Sequence, residues 1–164
     1  MGGLGALVSN PSNFNLLGIC LPELYCKMNI EIARVLVDFG AVVLIWMVQL
    51  IVYPSFLYFS DKELMKWHIP YTRNVTFIVA PLMFSQTGII TYQIFNEFNW
   101  IHLVSAIICA VLWLLTFFEA VPLHHKIGLN TDLESTSKKL IQINKKRTAL
   151  WTIIFIISVC QLIF

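Results

Sequence analysis

Charge is what this sequence has least of. Asp, Glu, Lys and Arg make up only 12% of its 164 residues while 58% are hydrophobic, a ratio too oily for an ordinary soluble domain. Eleven basic and nine acidic residues leave a net charge of +2. No strong basic field exists to attract DNA or RNA, so nucleic acid is excluded as a partner. Gly-x-Gly-x-x-Gly, a phosphate-cradling Gly-rich loop with lysine, and Gly-x-Ser-x-Gly are all missing, which removes dinucleotide, P-loop and serine-hydrolase chemistry. H-E-x-x-H, C-x-x-C and Glu-x-x-His are missing as well. So are internal repeats, low-complexity tracts, a Pro/Ser linker and the period-2 alternation of a membrane barrel.

What is present is oil in long runs. The mean hydropathy is +0.76, and four stretches, about 33–58, 72–95, 98–121 and 148–164, approach or exceed the roughly 20 apolar residues that span a bilayer core. They predict an all-α integral membrane four-helix bundle. The fourth stretch only just reaches across unless Lys145 to Arg147 extend its helix. Of the eleven basic residues, nine lie in the connections after spans one and three, and only Lys27 and Arg34 fall on the other side. The positive-inside rule therefore predicts cytoplasmic loops at 59–71 and 122–147 and both termini extracytoplasmic.

Residues 1–32 read as an extracytoplasmic arm, because Leu16 to Leu21 is too short for a span or a signal-peptide core and lacks a basic leader. Cys20 and Cys26 in this arm could be bridged or be two free thiols, whereas Cys109 and Cys160 read as packing residues within spans. Between spans three and four, Thr131-x-x-Glu134 has capping-box spacing. Leu133, Leu140, Ile141 and Ile143 alternate there with Lys138, Lys139 and Lys145. That pattern predicts either an amphipathic helix on the inner leaflet, turning in as span four, or a solvated loop helix.

Unpaired polar atoms are costly in hydrocarbon, so polar residues within the spans carry the most information. Asp38, Gln49 and Tyr53 share one face of span one. Pro81 precedes Ser85, Gln86, Thr87 and Gly88 in a kinked, locally polar part of span two. His102, Ser105, Cys109 and Thr116 share a face of span three, and Asn144, Trp151 and Ser158 recur every seven residues in span four with Arg147 beside them. Blander readings stand alongside. Gln49 and Gln86 could be interhelical glue, and His102 could bond headgroups or water. Trp67, Tyr71, Trp100 and Trp151 fit an aromatic belt, and Arg34 with Asp38 is an ordinary i, i+4 pair at a helix end.

At the inner rim His68 precedes span two, Glu119 ends span three and His124 comes two residues after Pro122, with His125 next. His68, His124 and Glu119 could hold a metal ion, or the two histidines a haem iron. Gln49, Tyr53, Tyr71, Gln86, Asn144 and Arg147 would then be supporting polar groups. A pH-sensitive or lipid-headgroup role and plain interfacial polarity remain open for the same residues.

Several of these residues form a recurring set. Gln49 and Tyr53-Pro54 late in span one, His68 before span two, Met83 within it, Val121 to His124 after span three, and Asn144 with Arg147-Thr148 entering span four resemble a group of small bacterial four-span membrane proteins. That group is distantly similar to the anthrone-oxygenase-like family. The resemblance covers Trp46 to Trp151. The chain departs from the group twice, with Tyr71 in place of a second histidine and Gln86 in place of a carboxylate, and both are poorer metal ligands than the residues they replace.

The sequence supports three expectations of function. The first is a membrane-embedded metal- or haem-dependent redox or oxygenase-like protein acting on a lipophilic substrate. The second is a non-catalytic assembly or scaffold subunit of a larger membrane complex. The third is a small transporter or channel working as an oligomer, which needs a hydrated path past Gln49 and Gln86. Partners implied beyond the lipid bilayer are further copies of the chain or that larger complex.

Overall fold

In hydrocarbon a long apolar run satisfies its backbone groups only as a helix, and the computed structural model is all-α. It describes the backbone of residues 12–129 and 132–164, and the side chains of residues 28–129 and 132–164. In chain order the elements are α1 (Ser12–Met47), a π-helical turn (Val48–Val52), α2 (Tyr53–Ser55), a 3-10 turn (Phe56–Tyr58), α3 (Asp61–Asn96), α4 (Trp100–Leu114), a second π-helical turn (Leu115–Ala120), α5 (Val121–Gly128) and α6 (Leu133–Ile163). They join end to end into four rods, Met28–Tyr58, Asp61–Asn96, Trp100–Gly128 and Leu133–Ile163, each long and apolar enough to cross a membrane. By length and composition this is a multi-pass membrane protein.

The rods close into a four-membered ring. α1 packs on α3 and on α6, and α4 packs on the same two neighbours from the other side. The surface is oily where a soluble bundle would be polar: Leu36, Leu50, Ile51, Phe77, Phe84 and Phe118 all project outward. Inside, Ala41, Ile45, Met83, Ile90, Cys109, Leu112, Trp151 and Ile154 pack at mid-bundle. A second apolar cluster of Val48, Tyr53, Phe56, Leu64, Ala120, Ile127, Leu133 and Leu140 fills the end at which rods one and two, and rods three and four, are joined. We call this the lysine-rich end.

The rods are longer than the apolar runs that announce them. α3 starts at Asp61, eleven residues before the run at Thr72, because Ser60 and Glu63 form a capping box. The Glu63 carboxylate accepts from the Ser60 backbone N–H at 3.1 Å and from its hydroxyl at 2.6 Å. At about 1.5 Å per residue, a helix of this length exceeds the roughly 30 Å hydrocarbon thickness by several turns. The amphipathic segment before span four is helical but does not turn. It is the first half of one continuous α6, so the expected separate surface helix is corrected to an extension of the fourth rod, which also contains Lys145 to Arg147. Leu133, Thr136, Ser137, Leu140 and Asn144 bury its inner face, and the Lys138 ammonium pairs with Glu134 on the exposed face.

α1 begins at Ser12, inside the stretch expected as an arm, and runs without a break into the first span. Residues 1–11, the side chains of Cys20 and Cys26, and Thr131 with its expected cap lie outside the described residues. Among the described residues Cys109 is buried and free, and Cys160 is exposed and free.

Candidate functional site

Two prolines shape the lysine-rich end. Pro54 and Pro122 each lack the N–H that would continue an α-helical ladder, and each comes just after a π-helical turn. The N–H of Tyr53 therefore bonds back to the Val48 carbonyl, and that of Val121 to the Thr116 carbonyl, five residues away in both cases. A widened turn inserts an extra residue and rotates the next stretch of helix about its axis, which is why such turns accumulate at functional sites. Tyr53 comes directly after the first π turn, and His124 lies four residues beyond the second.

Those two side chains meet. The Tyr53 hydroxyl lies 2.9 Å from His124 Nε2, and His124 Nδ1 lies 2.9 Å from His68 Nε2. The imidazoles stack with centroids 5.1 Å apart and planes at 30°. His68 is buried beneath Phe56 and Tyr71, whose rings approach it at 5.8 and 6.4 Å. Tyr71 stacks on Trp67 at 4.8 Å and interacts with Tyr53, as does Arg147. Arg147 Nη1 donates to Asn144 Oδ1 at 3.3 Å, and Asn144 Nδ2 donates to Gln49 Oε1 at 3.0 Å. Four rods thus contribute to one polar cluster, and it contains seven of the nine residues anticipated from the sequence: His68, His124, Gln49, Tyr53, Tyr71, Asn144 and Arg147.

Glu119 and Gln86 are the two that do not join, and without the first the expected three-ligand metal site is not supported. Glu119 precedes His124 by five residues, about 140° around a helix, and it faces a different groove with Lys126, Lys139 and Lys146. Among the described residues no group of three or more His, Cys, Asp or Glu converges as a metal site. The histidine separation also does not fit the two axial positions of a haem iron. Two nitrogens on opposite sides of a metal stand about 4 Å apart, twice a metal–nitrogen bond of roughly 2.0 Å, whereas these are 2.9 Å apart in stacked rings. They form a hydrogen bond to each other.

Gln86 belongs to a second network nearer the other end. Its Nε2 donates to Asp38 Oδ1 at 2.6 Å, and its Oε1 accepts from Trp151 Nε1 at 3.3 Å. Arg34 donates to Gln93 Oε1 at 3.0 Å, to Ser105 Oγ at 2.6 Å and to Gln161 Oε1, with its Nε 3.7 Å from Asp38 Oδ2. Arg34 and Asp38 are 1% and 0% exposed, so the ordinary helix-end pair expected from i, i+4 spacing is instead a buried ion pair touched by all four rods. Spacing alone misses it, because it does not say which face of a helix is covered. Trp151, expected in the aromatic belt, is also buried, and the Arg147 guanidinium lies 5.1 Å above its ring. His102 is buried too, with Nδ1 3.0 Å from the Glu97 carbonyl. Of the polar run after Pro81 only Gln86 is fully buried, while Ser85 and Gly88 face outward.

Between the two networks is a cavity of about 320 Å³. Its walls are apolar, including Ala41, Leu44, Ile45, Val79, Ala80 and Met83, and its polar lining includes Tyr53, Tyr71, His124 and Arg147. Thr76, Phe84, Phe117 and Val121 line it and are themselves exposed, so the mouth opens sideways between α3 and the third rod. Sequence periodicity could not have found this space, which is lined in part by Val48, Thr116, Phe117 and Ala120 of the two π turns. A scan against protein-family models and searches of curated proteins and of solved structures find no match to this chain.

Proposed function

We propose that the protein draws a lipophilic small molecule from the bilayer into the lateral cavity and handles a proton at its polar end through Tyr53, His124 and His68. One observation carries the reading: an apolar cavity with a side opening ends on a hydrogen-bonded chain of three groups that can each give and accept a proton. With Tyr53 donating to His124 Nε2 and His124 Nδ1–H donating to His68 Nε2, a concerted shift moves one proton onto His68 and leaves the Tyr53 oxygen able to take one from the ligand. The ligand then loses a proton, His68 gains one, and Tyr53 and His124 end neutral. The reverse shift returns it. Groups of this kind, held in contact before reaction, are what general acid–base catalysis requires.

Oxygenase-like chemistry on a lipophilic substrate, with dioxygen as the oxidant that takes up the electrons of the deprotonated substrate, is part of the same proposal. It is supported by the way Gln49, Tyr53, His68, His124, Asn144 and Arg147, on which the resemblance to the small four-span proteins distantly similar to the anthrone-oxygenase-like family rests, gather at one end. Removing a proton from an acidic O–H or C–H is the step these side chains can perform. The clustering of nine of eleven basic residues in two connections supports a cytoplasmic location for this end and an extracytoplasmic one for the termini.

The test is to fill the cavity. Ala80→Trp puts an indole into the space, and a hexadecanol carrying a mid-chain diazirine reports occupancy in bilayer nanodiscs. Photolabelling of peptides covering 72–84 and 113–121 is expected to saturate in the wild-type protein and to fall at least tenfold in Ala80→Trp. Labelling spread evenly over lipid-facing residues, and equal in the two proteins, would contradict a lipophile-binding cavity.

A further inference from the structure

The two buried arginines are treated very differently. Arg34 has Asp38 beside it. Arg147 is 5% exposed and lines the cavity, yet it has no carboxylate partner: the ion pairs among the described residues are Arg34–Asp38 and Lys138–Glu134. Asn144 accepts from its Nη1, Tyr53 hydrogen-bonds the guanidinium and the Trp151 ring lies under its cationic face, while its Nε, like that of Arg34, is buried with no hydrogen-bond partner. The titratable groups that act on it are Tyr53, Tyr71 and His124, and none supplies a formal negative charge at neutral pH.

A guanidinium withdrawn from water without a counter-charge is strongly disfavoured. This one is held in place by its neighbours at the polar end of an apolar cavity. We infer that the missing counter-charge arrives with the ligand, and that the cavity selects a lipophilic carboxylate, a single-chain or compact molecule whose acid group pairs with Arg147 while its apolar body occupies the space among Ala41, Val79, Ala80 and Met83. The planar fork of arginine fits a carboxylate through two parallel N–H donors. A volume of about 320 Å³ falls at the low end for small-molecule pockets and suits one chain or a compact body rather than two chains. A carboxylate seated there puts the neighbouring carbons of the ligand next to Tyr53 and His124. This inference rests on the lipophile-binding reading and specifies its ligand class.

Hexadecanoic acid and hexadecanol bearing the same mid-chain diazirine separate the two ideas when compared at pH 8 and equal mole fraction in nanodiscs. The acid is expected to label cavity peptides at least tenfold more efficiently than the alcohol in the wild-type protein. Arg147→Gln is expected to bring the acid down to the level of the alcohol, and Arg147→Lys to retain part of the difference. If acid and alcohol label the wild-type cavity equally, the cavity reading stands and the carboxylate inference is wrong. If neither labels it, both fail. The comparison within the wild-type protein decides the matter even if Arg147→Gln does not fold.

Discussion

Replacing Asp38 by alanine is expected to destabilise the bundle by about 3–5 kcal/mol, the usual cost of removing one partner from a buried ion pair and leaving the other charge uncompensated. Arg34 would then keep Gln93, Ser105 and Gln161 as partners but lose its ion-pair partner, and the Gln86 amide would lose its acceptor. Removing both charges together should be far milder. Arg34→Met with Asp38→Leu keeps much of the volume and deletes the desolvation cost of two ions. The check is reversible unfolding in mixed micelles for the two single variants and the double one. The double variant is expected to recover most of the loss, and a double variant no better than the worse single would mean that the pair is not coupled. Had Arg34–Asp38 been an exposed helix-end pair, each change would cost no more than about 1 kcal/mol.

Trp151 is the second position of large effect because it belongs to both networks. Its Nε1 donates to Gln86 Oε1, its ring lies under Arg147, and it packs in the mid-bundle core beside Ile154 and Met83. Trp151→Ala should cost about 3–5 kcal/mol, as large-to-small core substitutions of aromatic residues do. Trp151→Phe keeps most of the packing and a ring under Arg147 but removes the N–H, so a loss near 1 kcal/mol is expected from the hydrogen bond. Because Trp151 also lines the cavity, Trp151→Ala enlarges the space in which a ligand sits. Labelling by the diazirine probes should then shift toward peptides of α6. Unfolding and peptide mapping on the same preparations read out both effects.

Much of this architecture could be read from the residues. Four apolar runs give four rods, and the seven-residue recurrence of Asn144, Trp151 and Ser158 marks the face of α6 that is buried. The convergence of His68, His124, Tyr53 and Arg147 was also visible, because all four fall near one end of their runs and depth along a helix can be counted in residues. Gln86, expected among the supporting groups, lies eighteen residues beyond His68 on α3, roughly 27 Å along the axis, too far to join the histidines.

The features that stayed hidden have physical reasons too. α3 begins well before its apolar run because Ser60 and Glu63 cap it, a signal present in the sequence as Ser-x-x-Glu but outside the oily segment. The π turns have no compositional mark beyond the prolines that come after them. Without those turns the facing of Tyr53 and His124, and the opening of the cavity between α3 and the third rod, cannot be anticipated. The loss of Glu119 as a ligand likewise stems from its angle about the helix axis, to which closeness in sequence is blind.

The most direct measurement is through-hydrogen-bond nitrogen–nitrogen coupling in ¹⁵N-histidine-labelled protein in lipid bilayers, with His68→Gln and His124→Gln for assignment. A scalar coupling between His68 Nε2 and His124 Nδ1, one nitrogen protonated and the other not, is the expected result. Tyr53→Phe should perturb the His124 Nε2 shift and leave that coupling in place. Two uncoupled imidazoles with the shifts of water-exposed histidine would contradict the relay and the site built around it.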